Sequence, residues 1–115
     1  PMFLPTSYGF RPGKNCHQAL KALSKHTYQH YNGAIVEIDL RKCFNTLPHS
    51  KVLESLRKRI SDKRFLKLVH QLMRTPLLDE DEEVRPNEIG CPQGSIISPT
   101  LANIYLHEVI DEWFE

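Results

Sequence analysis

The stretch Ala34-Ile35-Val36-Glu37-Ile38-Asp39-Leu40-Arg41-Lys42-Cys43-Phe44 organises the reading of everything around it. Its first half has the signature of a buried β-strand: apolar and β-branched residues dominate Ala34 to Ile38, and Gly33 punctuates the start. Such a run is apolar enough to lie inside a sheet with neighbours on both sides. A carboxylate, Asp39, falls where the strand should end, and Phe44 follows five positions later. In mid-strand an unpaired carboxylate would cost roughly several kcal/mol to bury, whereas at a sheet edge it has room to meet water or metal. Acids at strand ends are also common turn formers, so Asp39 has both a catalytic and a structural reading.

Length and composition set the frame. A chain of 115 residues has the size of one domain or of a piece of a larger one, and it begins at Pro1 without a start methionine. With 40% hydrophobic and 25% charged residues it is expected to be an ordinary globular protein. No apolar run approaches the ~20 residues of a bilayer span, and no signal peptide opens the chain, so a membrane partner is not expected. The net charge of +1 gives no global reason to bind nucleic acid. Locally, Lys51, Arg57, Lys58, Arg59, Lys63, Arg64 and Lys67 crowd the middle, ahead of the acidic block Asp79-Glu80-Asp81-Glu82-Glu83. A cluster of this kind either follows a phosphate backbone or is a solvated helix face. Three cysteines without C-x-x-C spacing point to reduced thiols in an intracellular protein, not to a zinc knuckle. The histidines are scattered, His26 and His30 are placed on a polar helix face, and no transition metal is expected.

Taken outward from the central stretch, the chain alternates loops and helices. Met2 to Pro12 is loop-like, and Tyr8-Gly9-Phe10-Arg11-Pro12-Gly13-Lys14 is a turn that could hold a phosphate or simply be a capped loop. Asn15 and Gln18 form a capping-box signature for a helix from Cys16 to His30, with Ala19, Leu20, Leu23 and Thr27 on one face. Pro48 suits the first position of a helix over His49 to Arg59, whose stripe is Val52, Leu53, Leu56 and Ile60. Ser61 is read as the cap of the next helix, with Phe65, Val69 and Leu72 on its core face and Leu68 and Met73 at the margins. Pro76 stops that helix. Leu77-Leu78 and Val84 to Ile89 read as a hairpin, with Pro86 marking an edge strand. Gly90-Cys91-Pro92-Gln93-Gly94-Ser95 is a second special loop, and Ser98-Pro99 caps a last helix expected to be buried from Leu101 to Phe114.

Three segments, in this order, resemble the reverse transcriptases and maturases encoded by group II introns. Tyr8-Gly9-Phe10-Arg11-Pro12-Gly13 is similar to the family's fingers motif. Glu37-x-Asp39-x-x-x-Cys43-Phe44, with His49 beyond, resembles the first palm motif. Gly90-Cys91-Pro92-Gln93-Gly94-Ser95-Ile96-Ile97-Ser98-Pro99, continuing Leu101-Ala102-Asn103-Ile104-Tyr105-Leu106, resembles the next palm block. Asn45-Thr46-Leu47-Pro48 departs from the Asp-Asn-Ile-Asp-like run of many relatives, and Ser95 stands where glycine is common.

The resemblance implies an α+β fold over residues 1–115: a partial reverse transcriptase domain of fingers and palm, with helices packed on a small, mainly antiparallel sheet. The family's Asp-Asp hairpin and thumb would lie beyond Glu115. By the same resemblance the parent is an RNA-directed DNA polymerase of a mobile element, the alternative being an RNA-binding maturase module for intron splicing without polymerase activity. Asp39 would be catalytic and would bind magnesium with the backbone carbonyl of Leu40, two Mg2+ ions completing the site. Glu37 would be a second metal ligand or, more simply, an ion-pair partner. Arg11, Lys14, Phe44, Gln93 and Gly94 would contact the nucleotide, Phe44 as the gate against a 2′-hydroxyl. Arg57, Lys58, Lys63 and Arg64 would touch nucleic acid. The implied partners are RNA template or intron RNA, a DNA primer and deoxynucleoside triphosphates, in a cytoplasmic or organellar ribonucleoprotein. By itself the 115-residue piece is expected to be inactive, to bind magnesium weakly, and to self-associate through an open strand edge and the apolar end of its last helix.

Overall fold

Asn15 sets the first helix in the way its sequence foretells. Its side-chain oxygen accepts from the Gln18 backbone N–H at 2.9 Å, and the Gln18 side chain accepts from the Asn15 N–H at 3.0 Å. Helix α1 then runs over Cys16–Gln29, with His30 as its C-cap. The computed structural model describes residues 2–78, 84–85, 89–92 and 94–114 and divides into two compact units, residues 1–40 and 41–115. In the first unit α1 buries none of its residues, and its apolar pair Leu20 and Leu23 is more than half exposed. The turn ahead of α1 is held by an Arg11 carbonyl that accepts from the Lys14 N–H at 3.1 Å.

The expected sheet is where sequence and structure part. Residues 34–40 form no strand, and Ile35, Val36 and Ile38 are all at least three-quarters exposed. Among the described residues the only ladder is antiparallel and two pairs long, β1 (Leu77–Leu78) against β2 (Val84–Arg85), in the register Leu77↔Arg85 and Leu78↔Val84. Among the described residues no helix rests on a sheet, so the expected α+β arrangement is replaced by a predominantly helical one. The physical reason is that β-branched composition only fits a residue to a pleated surface; a strand also needs a partner to take its N–H and C=O groups. No such partner for residues 34–40 lies among the described residues. The expected hairpin is present in its first pairs, while its acidic tip and Pro86 lie outside the described residues.

The second unit is built from α2 (Cys43–Thr46), α3 (His49–Arg57), α4 (Lys63–Met73), α5 (Ser98–Leu106), a π-helical turn (His107–Asp111) and α6 (Glu112–Phe114). Helix α3 lies between α4 and α5, and the core forms there from Val52, Leu53 and Leu56 of α3, Leu66, Val69 and Met73 of α4, and Leu101 and Ala102 of α5, with Leu47 and Cys91. Two local expectations shift by one residue. Asp62, not Ser61, caps α4, its carboxylate accepting from the Arg64 and Phe65 N–H groups at 2.8 and 3.3 Å. The core face of α4 is Leu66, Val69 and Met73, while Phe65, Leu68 and Leu72 are 40–52% exposed.

The last helix also departs from expectation. Ser98 opens it without capping it; its hydroxyl, 2% exposed as a residue, donates to the Pro92 carbonyl at 2.9 Å. An uninterrupted α-helix turns about 100° per residue, which would bring Trp113 over the buried Ala102 three turns on. The π-helical turn intervenes, and Trp113 is 81% exposed.

Candidate functional site

The candidate residues fall in both units. In the first, Arg11 places its guanidinium 3.7 Å from the centroid of the Phe3 ring, a cation–π stack, and its Nε is buried without a hydrogen-bond partner. Lys14 donates to the Pro5 carbonyl and lies 4.5 Å from the Tyr8 ring centroid. Both cations of the loop therefore hold the loop itself. Stacking occupies one face of the Arg11 guanidinium and leaves its in-plane edge, the part that matches a phosphate.

Asp39 and Leu40 stand in the exposed stretch that ends this unit. Among the described residues the Asp39 carboxylate has no ion-pair partner, and no described backbone group donates to the Leu40 carbonyl. A carboxylate and a carbonyl on successive residues are hard oxygen donors, of the chemistry that suits a hard divalent cation. Among the described residues no group of three His, Cys, Asp or Glu is placed to share a metal.

In the second unit the structure brings two of the quoted motifs together. Phe44 lies in the first turn of α2, half-buried against the core. Its carbonyl accepts from the Cys91 N–H at 2.6 Å, and the Leu47 carbonyl accepts from the Gly90 N–H at 2.8 Å. The Gly90 carbonyl in turn accepts from Nε2 of the buried His49. Gly90 has φ +84°, and a Cβ there would overlap the Asn45 carbonyl and sit 2.6 Å from the Phe44 oxygen. The loop after β2 is thus pressed onto α2 so closely that only glycine fits. Gly94 has a similar φ of +87° but open space around it, and Gln93 lies outside the described residues. Burial pushes the Cys43 thiol up, and also that of Cys91, where the Ser98 hydrogen bond pulls partly back and nearby Cys43 adds to the rise. Both stay protonated and unreactive at neutral pH.

The four basic candidates separate. Lys58 is engaged within the fold: with Arg59 it binds Glu108 of the π-helical turn, at 3.1 and 2.9 Å, and Ser55 donates to the same carboxylate at 2.7 Å. Burial would raise the Glu108 carboxyl, but the hydrogen bonds from Ser55, Arg59 and Lys58, with the Lys58 charge, prevail and hold it at about 2. Arg57 and Lys63 face clefts between α3 and α4, and Arg64 is exposed. Sequence reasoning did not find Glu108 as a partner for Lys58 and Arg59, because the pairing spans about half the chain and carries no local signal. Nor did it single out His70 and Arg74, which line the same clefts as Arg57.

A family model described as reverse transcriptase (RNA-dependent DNA polymerase) matches residues 1–115. The chain is 39% identical to the "Uncharacterized 91 kDa protein in cob intron" of Schizosaccharomyces pombe, over all of this chain and 14% of that protein. It is 37% identical to the "Putative COX1/OXI3 intron 2 protein" of Saccharomyces cerevisiae, over 95% of this chain and 12% of the relative. It is 36% identical to the "Group II intron-encoded protein LtrA" of Lactococcus lactis subsp. cremoris, over 95% of this chain and 18% of the relative. The chain thus spans less than a fifth of the length of these relatives.

Proposed function

The chain belongs to the reverse transcriptase family, of the kind encoded by group II introns, and on that premise we propose that the whole protein carrying it is an RNA-directed DNA polymerase. Its substrates are an RNA template, the intron RNA among them, a DNA primer and deoxynucleoside triphosphates. Its setting is a cytoplasmic or organellar ribonucleoprotein, and among the described residues no helix is long and apolar enough to cross a membrane.

Enzymes of this family use divalent metal ions; the ion here would be Mg2+, and the Asp39 carboxylate and the Leu40 carbonyl would hold it. When bound, it supplies positive charge to the oxygens that attack and leave in phosphoryl transfer. The chain's own residues do the rest. The free edge of the Arg11 guanidinium binds the triphosphate, and Lys14, already engaged with Pro5, contributes less. Phe44 lies beneath the sugar and leaves no room for a 2′-hydroxyl, the group that separates RNA from DNA precursors. Gln93 and Gly94 form the floor beside the base, where a glycine lets backbone approach closely.

The observation that carries this reading is the 2.6 Å bond from the Cys91 N–H to the Phe44 carbonyl. It ties the residue assigned as gate to the loop that leads towards the assigned floor. Primer extension by the whole protein tests the chemistry. Asp39→Asn should slow synthesis at least a hundredfold, about 3 kcal/mol, with RNA affinity nearly unchanged. Extension within about threefold of the unsubstituted protein would refute the role of Asp39. A maturase module without polymerase chemistry is the second reading, favoured by the basic residues facing the α3–α4 clefts. Under it, Asp39→Asn leaves intron splicing intact and the unsubstituted protein extends no primer.

A further inference from the structure

Two clefts of about 550 and 480 Å³ open between α3 and α4 and share Leu53, Arg57 and His70 as lining residues, so they form one groove. Helix α4 has three distinct faces. Leu66, Val69 and Met73 enter the core, and Phe65, Leu68 and Leu72 make a half-exposed apolar stripe. The third face carries Lys63, Lys67, His70 and, at the C-cap, Arg74, spaced four, three and four residues apart, and all of them line the groove. Arg57 joins them from α3. None of these five groups has a carboxylate within ion-pair distance among the described residues, and no described carboxylate lines either cleft. The neighbouring cations Lys58 and Arg59 by contrast both pair with Glu108, and Arg59 also reaches Glu112 at 3.9 Å. The cations just past the end of α3 are held in internal ion pairs, while those lining the groove have no counter-charge among the described residues.

From this geometry we infer that the α3–α4 groove binds the phosphodiester backbone of a single nucleic-acid strand. The stripe from Lys63 to Arg74 spans twelve residues, about 16 Å along the helix, which is too long for one phosphate and suits several in succession. Packed helices lie about 8–10 Å apart, so a groove between them admits one backbone and not a duplex. Leu53 and Leu66 give it an apolar floor for the sugar. None of its lining residues is Phe44, Gly94 or any other residue assigned to the incoming nucleotide, so this is a separate site. The inference rests on the reverse-transcriptase reading only in expecting nucleic acid as the partner.

The test is binding of a labelled single-stranded RNA to this chain, followed by fluorescence anisotropy across a salt series. The groove variant is Lys63→Gln with Lys67→Gln and Arg74→Gln, which keeps the apolar stems and leaves the core untouched. The control is Lys21→Gln with Lys25→Gln and Lys51→Gln, the same change in net charge on residues outside the groove. The groove variant should bind at least about tenfold more weakly, and its slope of log affinity against log salt should fall by about two, at ~0.7 per lost phosphate contact. The control should keep both. Equal losses in the two variants would reduce the effect to net charge and overturn the inference, as would an unchanged groove variant. Release of the RNA by inorganic phosphate at matched ionic strength would make this a site for free phosphate and overturn it too. A protein that extends no primer but shows the groove effect sinks the polymerase reading alone. One that extends primers without the groove effect sinks this inference alone.

Discussion

Gly90 and Gly94 have nearly the same backbone, φ +84° and +87°, in very different surroundings, and the pair makes a controlled experiment. Replacing either by alanine forces a side chain into the left-handed region, at about 1 kcal/mol. At Gly94 nothing lies within 4 Å of the added Cβ, so that cost should be the whole effect. At Gly90 the Cβ would overlap the Asn45 carbonyl and the Phe44 oxygen, both backbone, and backbone cannot swing aside as a flexible side chain does. The loop must lift off α2. Lifting breaks the bonds from Gly90 N–H to Leu47 and from Cys91 N–H to Phe44, at 2.8 and 2.6 Å, and loosens the buried His49. At about 1 kcal/mol for each bond, Gly90→Ala should cost about 3 kcal/mol and Gly94→Ala about 1. For a cooperative unit of this size the difference of about 2 kcal/mol is roughly 8–16 °C in Tm, readily seen by circular dichroism. Equal melting temperatures for the two variants would refute the close contact between the loop and α2.

Three other expectations are open to measurement. Glu108 is held at about 2 in the folded protein against 4.5 unfolded, so its contribution is full above pH 4.5 and fades as pH falls towards 2. The shift corresponds to an upper bound of about 3 kcal/mol, discounted to about 1–2 because Lys58 and Arg59 are 57% and 39% exposed. In urea unfolding across that window Glu108→Gln should flatten the pH dependence by this amount, and an identical profile for both proteins would remove Glu108 from the account. Phe44→Val in the whole protein should lower discrimination against ribonucleotides at least tenfold, about 1.4 kcal/mol, and unchanged discrimination would make the ring a core residue only. The 115-residue chain should self-associate through apolar surface at Ile35, Val36, Ile38, Trp113 and Phe114, each at least 76% exposed. Light scattering that reports a monomer at all concentrations would refute this.

What could be read in advance depended on how far apart the interacting residues lie. The capping box at Asn15 and Gln18 closes within four residues, and it was legible in full. The face of α4 was not, because Val69 belongs both to the stripe with Phe65 and Leu72 and to the one with Leu66 and Met73. Only packing against α3 decides between them, in favour of Leu66. The strand expected from Ala34 to Asp39 failed for a related reason: composition supplies one side of a ladder and never its partner. At the candidate site, the motifs named Phe44 and the loop at Gly90 separately. The bond that joins them spans nearly fifty residues, and no spacing rule reports it. Among the basic residues sequence could count charges, but it could not tell that Lys58 is neutralised while Arg57 is not.

The π-helical turn at His107–Asp111 has a consequence for how relatives of this chain are to be aligned. Within α5 a gap of one residue would rotate Leu101 and Ala102 out of the core, so that segment tolerates substitution but no change of length. At residues 107–111 the helix already accommodates one residue beyond the α repeat. A homologue lacking it would close the turn into an ordinary α-helix, and its core would keep its register. Only the outer end would turn, swinging the counterpart of Trp113 from solvent towards the protein. One-residue gaps in this family should therefore gather at this turn, and each would mark a homologue whose last helix presents a different side to its surroundings.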